Sequence, residues 1–231
     1  MIKHSELALQ LKTVANALNK RYDRLFVWAR MYRMENAKTH QEQKSLALED
    51  LRANELGECT RCDLCRARSH IVFGEGNSNA DLMFIGEAPG KDEDRQGRPF
   101  VGRAGQLLAR LLEEAGFSRD QVYIANVIKC RPPENRTPEP EEVLTCKPFL
   151  LHQVRIIGPK VLVLLGSVAL KAFFGFEKTI SKMRGQELAY EGRVVIPTYH
   201  PAFALRNPPS VETVRHDILL ACEFLNRELN A

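Results

Sequence analysis

Four short apolar runs, each followed by a segment with helical spacing, restrict the fold of this chain more than any other feature. They are Asp81–Glu87 (DLMFIGE), Gln121–Lys129 (QVYIANVIK), Lys160–Gly166 (KVLVLLG) and Arg193–Tyr199 (RVVIPTY). Runs this short and this continuously apolar read as strands buried on both faces, which is the habit of parallel sheets. Between them lie helical patterns. Arg103–Ala115 is amphipathic and stops at Gly116, and a helix runs from a Thr137 cap to about Ile157, before Gly158-Pro159. Ser167 is placed to cap a third helix, and Ser210 to about Leu229 forms a closing one. Strands separated by helices imply an α/β fold: three layers, α/β/α, around a central, mostly parallel four-stranded sheet. Ligands of such sheets sit beyond the carboxyl ends of the strands.

Ahead of this body the spacing changes. Leu7, Leu11, Val14, Leu18, Tyr22, Leu25, Ala29 and Tyr32 follow one helix face, with Lys20, Arg21, Arg24, Arg30 and Arg33 interleaved. A second short helix is expected over about Gln41–Asn54. The chain is therefore divided into a helical N-terminal extension, 1–54, and a main domain, 55–231. The extension's stripe suits packing on the body or on a copy of itself. Its sharper reading is an arm for DNA or a protein partner. Residues 1–54 hold ten Lys/Arg against six Asp/Glu, while 55–231 hold 23 of each. Attraction of the main domain to a polyanion must then come from local placement of basic groups. A monomer is expected for this body. No apolar run approaches the roughly 20 residues that span a bilayer, and the start MIKHSELALQLK lacks a signal-peptide core. Both point to a cytoplasmic protein, where six cysteines read as metal ligands or free thiols before disulfides.

The chemistry-bearing residues gather at the strand ends. After the first strand comes a glycine-rich loop, Gly86 to Gly102, in which Glu87, Glu93 and Asp94 can position water or read polar edges. Asn126 and Cys130 follow the second strand, and His200-Pro201 ends the fourth. Beyond it, Leu205 and Arg206 have the makings of a wedge beside a phosphate contact. Cys59, Cys62 and Cys65 form C-x2-C-x2-C, while Cys130 and Cys146 lie far along the chain. Four thiolates from two remote segments match an iron–sulfur cluster or zinc, and spacing does not choose between them. Cys222, on the closing helix, reads as a core residue.

Taken together, VFGEGN (Val72–Asn77), GEAPGKDED (Gly86–Asp94), GRPFVGRAGQLL (Gly97–Leu108), YIANVIKCRPPENRTP (Tyr123–Pro138), VLVLLGSVA (Val161–Ala169) and YHPAFALRNP (Tyr199–Pro208), with the paired cysteines, resemble the family 4 uracil-DNA glycosylases, the iron–sulfur branch of their superfamily. The resemblance covers roughly residues 55–225. It implies an enzyme that flips deoxyuridine out of single- or double-stranded DNA and hydrolyses the N-glycosidic bond, starting base excision repair. It implies that Phe100 stacks on the base, Asn126 pairs with its edge and Ala88 contributes a backbone N–H. Glu93 would crowd the place of a thymine methyl, Glu87 or Glu93 would position water, and His200 would stabilise charge on the departing uracil. Arg136, Leu205 and Arg206 would meet DNA. A [4Fe–4S] cluster would be held by Cys59, Cys62, Cys130 and Cys146, with Cys65 as an extra thiol able to substitute for one of them. Such a cluster suits a structural role, holding the basic loop Lys129–Arg136 toward phosphates, with redox sensing as the alternative. A related branch bonds covalently to DNA through a histidine in an insertion after the asparagine strand. Here Cys130–Arg136 runs straight into Thr137-Pro138 with neither, which argues against that branch. Phe100, Asn126 and His200 together argue against a non-catalytic relative attached to repair or replication machinery.

Overall fold

The computed structural model describes residues 39–230, so the stripe from Leu7 to Tyr32 lies outside the described residues. The chain divides into two compact units, Met1–Gln43 and Lys44–Ala231. In the first, residues 39–43 are helical. The second contains the sheet and every candidate site residue.

Its strands are β1 (Glu75–Gly76), β2 (Leu82–Gly86), β3 (Tyr123–Asn126), β4 (Val161–Leu165), β5 (Leu188–Tyr190) and β6 (Arg193–Thr198), in the sheet order β1-β3-β2-β4-β6-β5. The four apolar runs form the parallel centre, β3-β2-β4-β6. The sheet is thus wider than the four strands expected from sequence. The edges β1 and β5 pair antiparallel with β3 and β6, and at two and three residues they are too short to show a periodicity. Register sets Gly86 opposite Asn126 and Leu165 opposite Thr198, so the strand ends finish level.

Alternation along the strands feeds two cores. Met83, Ile85, Leu162 and Leu164 face one side, while Leu82, Phe84, Val161 and Val163 face the other. On the first face lie the helical residues 44–50 (α1), α4 (Pro140–Ile157) and α5 (Ser167–Phe174). On the second lie α3 (Arg103–Glu114), α7 (Pro201–Arg206) and α8 (Ser210–Asn230), where Cys222 is a core residue as expected. The short helices α2 (Lys91–Gln96) and α6 (Ile180–Met183) complete the set.

Two expected caps are corrected. Helix α4 starts at Pro140, not at a Thr137 cap. Glu139 is its N-cap, and the Glu142 side chain accepts from the Glu139 N–H at 2.8 Å in a reciprocal capping box. Proline at the first helical position, where its missing donor costs nothing, sets that boundary. Ser167 is the first helical residue of α5, and the cap is Gly166, at φ +93°. A β-carbon there would lie 3.0 Å from Cβ of His200, so packing against the site selected glycine over a side-chain cap.

Candidate active site

A cavity of about 440 Å³ opens where the parallel strands end. Its walls include Glu87, Ala88, Glu93, Phe100, Asn126, Arg136, His200 and Arg206, eight of the residues singled out from sequence. Asp94 is not among them: it is buried, its Oδ1 accepting from the Ser69 and His70 N–H groups. Among the residues expected to meet base or DNA, one lies outside. Leu205 is the exception. It stands 38% exposed on α7, over a smaller depression with Arg103 and Arg110. Leu205 and the exposed Phe203 present an apolar edge beside the mouth.

Asn126, the last residue of β3, is buried, and its Oδ1 has no hydrogen-bond partner among the described residues. Buried acceptors are almost always satisfied, so an orphan facing a pocket marks the place of a missing donor. Gly86 makes room for it. A β-carbon at Gly86 would fall 2.4 Å from Asn126 Oδ1 and 2.5 Å from the Phe100 ring. The strand-end glycine is therefore what lets aromatic ring and amide meet over the sheet.

Phe100 occupies the left-handed region at φ +52° and is buried. Such backbone costs about 1–3 kcal/mol and needs support. Helix α3, beginning three residues later, buries Leu107, Leu108, Leu111 and Leu112, worth roughly 1.5–3 kcal/mol each, which far exceeds the strain. The Phe100 carbonyl accepts from Arg119 Nη1 at 3.0 Å, and the Pro99 carbonyl accepts from Nη2 of the same guanidinium. Arg119 in turn donates to Glu75 at 3.0 Å, and Arg98 grips Glu75 through two bonds of 2.6 and 2.9 Å. These guanidiniums, Arg98 foremost, hold the Glu75 carboxyl below its usual range. On the inner side, Glu93 Oε1 accepts from the N–H groups of Val101 and Gly102, both at 2.9 Å. Sequence reasoning missed Glu75, Arg98 and Arg119, whose pairing joins distant segments, and gave Glu93 no role in holding this loop.

His200 precedes α7, and its Nδ1 accepts from the Ala202 N–H at 3.1 Å. Burial, with the nearby Arg206 charge second, lowers its pKa to about 4. The ring is thus neutral at ordinary pH, and the acceptor role of Nδ1 leaves its proton on Nε2. Its ring lies 5.6 Å from that of Phe100, tilted by 31°. Glu87 is half-buried, and desolvation pushes its carboxyl above the usual range. Arg136 is less free than its sequence suggested: Glu142 holds both its Nη atoms, at 2.9 and 2.7 Å. Arg206 is exposed and makes no ion pair among the described residues.

No two of the cysteines are joined by a disulfide; Cys59, Cys62 and Cys65 are half-buried, and Cys130 and Cys146 are buried. Cys59, Cys62, Cys130 and Cys146 border the same core on the α4 face. Cys62 and Cys59 act electrostatically on Cys130, and Cys130 and Cys62 act on Cys146. Burial raises the thiols of Cys62, Cys130 and Cys146, the last to about 12, so thiolates here call for a compensating cation. Two N–H donors already face sulfur: Arg68 Nη1 to Cys130 Sγ at 3.3 Å, and the Lys129 amide to Cys146 Sγ at 3.4 Å. Among the described residues no three His, Cys, Asp or Glu side chains close on a position for a single ion. A polynuclear cluster differs in taking each thiolate at a different iron. The four sulfurs and their N–H donors fit such a group. Beyond Cys65 the chain is tied back to α2, where Asp94 Oδ1 accepts from the N–H groups of Ser69 and His70 at 2.8 and 3.3 Å.

Comparison with known proteins agrees with this geometry. Residues 73–219 match the model of the uracil DNA glycosylase superfamily. A type-4 uracil-DNA glycosylase of Thermotoga maritima is 49% identical over 175 residues, covering 74% of this chain and 91% of that protein. One from Sulfurisphaera tokodaii is 47% identical over 163 residues, covering 67% and 74%. Another from Saccharolobus solfataricus is 45% identical over 186 residues, covering 77% and 86%. With its strand-end pocket, its Asn126–Phe100–His200 grouping and these relatives, the chain belongs to the uracil DNA glycosylase superfamily, and within it to the type-4 uracil-DNA glycosylases.

Proposed function

We propose that this chain binds uracil-containing DNA, single- or double-stranded, flips deoxyuridine into the pocket and hydrolyses its N-glycosidic bond. Free uracil and an abasic site result, which base excision repair then processes. The observation that carries this reading is the partnerless Oδ1 of Asn126 at the pocket wall. Uracil offers a ring N–H between two carbonyls, and that N–H satisfies Oδ1. Cytosine offers an unprotonated nitrogen at the same place, which leaves two acceptors face to face and discriminates strongly.

Phe100 stacks on the flipped base. Neutral His200 donates from Nε2 to the uracil oxygen on which negative charge grows as the bond breaks, assisted by backbone N–H groups near Glu87 and Ala88. The sugar passes through an oxocarbenium-like cation. Of the two acids, Glu87 suits the attacking water better: it lines the pocket with a raised pKa, whereas Glu93 is committed to the Val101 and Gly102 N–H groups. Glu93 retains the role of a wall against the thymine methyl. Leu205 fills the space the base vacates, and Arg206 with Arg136 meets phosphate.

Cys59, Cys62, Cys130 and Cys146 would hold a [4Fe–4S] cluster, which would supply a covalent clamp between segments remote in sequence. A cytoplasmic monomer acting on chromosomal DNA accords with this role. Among the described residues no helix is long and apolar enough to cross a membrane.

The test is a labelled oligonucleotide carrying one uracil, incubated with protein and then with alkali. Strand scission with uracil and none with thymine or cytosine is expected. Intact strands from iron-loaded protein would overturn the reading.

A further inference from the structure

Below Asn126 lies a lysine that no part of the reaction uses. Lys129 is fully buried, and its ammonium spends its three N–H bonds on three neutral oxygens. They are the Asn126 carbonyl at 2.9 Å, the Phe73 carbonyl at 2.9 Å and Gln153 Oε1 at 2.6 Å. Gln153 closes the network by donating from Nε2 to the same Phe73 carbonyl at 3.0 Å. No carboxylate pairs with this ammonium among the described residues. Burying a cation on neutral acceptors is costly, and an apolar residue would avoid the cost. What the cation achieves is geometric. Three carbonyl-type oxygens from β3, from the segment before β1 and from α4 are drawn to one point. The same residue's amide faces Cys146 Sγ, and its carbonyl accepts from the Val72 N–H at 2.8 Å.

We infer that Lys129 is a positioning residue for uracil recognition: its ammonium holds the Asn126 peptide against α4 and the Phe73 segment, so that the Asn126 amide is fixed where it reads the base. This rests on the proposed pairing of Asn126 with uracil. Strand pairing alone leaves Asn126 at an end. β3 finishes there, and the following N–H groups of Val127 and Ile128 turn to the carbonyls of Gly86 and Glu87 at 3.0 Å. The Asn126 carbonyl would then face the core without a donor, and its peptide would be held on the strand side alone, through the Val127 N–H, with freedom to tilt and to carry the side chain with it. A rigid second contact on that carbonyl removes the freedom, and small misplacements at a recognition group are costly in rate.

The test is a double-mutant cycle on single-turnover excision of uracil, using the full iron-loaded chain. Lys129→Met is compared with wild type, and again in an Asn126→Ala background. Positioning through Asn126 predicts a loss of up to about a hundredfold in the first comparison and less than about threefold in the second. A general structural defect would lower the rate by the same factor in both backgrounds, and that outcome, or no loss in the first, overturns the inference. Iron content and melting temperature are read alongside. If Lys129→Met does not fold, Gln153→Met, which removes one of the three oxygens and leaves the lysine in place, decides. It should give a smaller loss that again vanishes without Asn126, and equal losses would overturn the inference. The glycosylase reading fails separately, if wild type releases no uracil or if Asn126→Ala keeps full activity.

Discussion

At the scale of single residues, the pocket holds two titratable groups away from their ordinary behaviour. His200 has its pKa lowered to about 4 by burial and then by Arg206, so its folded pKa lies below the unfolded value near 6.5. The unfolded chain therefore binds more protons between these pH values. The stability linked to His200 is complete above about 6.5 and lost as pH falls toward 4, by roughly 1–3 kcal/mol. Urea unfolding at pH 7 and pH 4.5 should show a smaller acid loss for His200→Gln than for wild type. Glu87 is shifted the other way, upward by desolvation. If it positions water as a carboxylate, activity declines on acidification at a pH above the usual carboxylate range. Glu87→Gln should lower kcat and flatten that limb, while His200→Gln lowers kcat without moving it. An unaltered limb in Glu87→Gln would transfer the role elsewhere.

At the scale of elements, the pocket depends on close approaches that only glycine permits and on a loop gripped from both sides. Helix α3 lies on the Phe100 peptide because residue 105 is glycine: a β-carbon there would come within 1.9 Å of the Phe100 carbonyl oxygen. Gly105→Ala is expected to cost on the order of 1–3 kcal/mol or more by overpacking, visible as a lowered melting temperature. Gly86→Ala meets softer neighbours, the Phe100 ring and the Asn126 amide. It should fold with a modest loss of stability yet abolish uracil excision, because the methyl occupies the space where ring and amide converge. Arg119→Met, releasing the Pro99 and Phe100 carbonyls and Glu75, should raise KM for uracil DNA more than it lowers the melting temperature. Much of this support was illegible in the sequence. Glu75 and Arg119 sit 44 positions apart, and no local pattern announces their pairing. Asn126, Phe100 and His200 were legible as a group through the resemblance; residue type and strand-end position alone suggested His200 and left the other two without a role.

At the scale of the whole molecule, charge is spread so that affinity for DNA has few sources. Residues 55–231 carry equal numbers of basic and acidic side chains, and many arginines are already paired, Arg136 with Glu142 and Arg184 with Asp217 among them. Arg206 makes no such pair among the described residues. Arg206→Ala should reduce the log–log salt slope of DNA binding by about one unit, and Arg136→Ala should change it less. The proposed cysteine clamp belongs to this scale also, since it would join residues near 60 with residues 130 and 146. Serine at Cys59, Cys62, Cys130 or Cys146 should lower iron content and melting temperature together, and Cys65→Ser should keep both. Iron loss in the Cys65 variant alone would overturn the ligand set.

By itself the sequence determined the layered α/β body, because continuous apolar runs can be satisfied only as doubly covered strands and glycines and prolines mark their ends. It also placed His200 at a strand end, where ligands of a parallel sheet sit, whatever the packing. Tertiary structure alone decided the edge strands β1 and β5, which exist only by pairing with longer neighbours. It alone decided that Gly166 rather than Ser167 caps α5, because His200 occupies the space a side chain would need. It placed Lys129 beneath Asn126 and neutralised Arg136 with Glu142. Burial and partner distance set these roles, and neither is a property of a residue's neighbours along the chain.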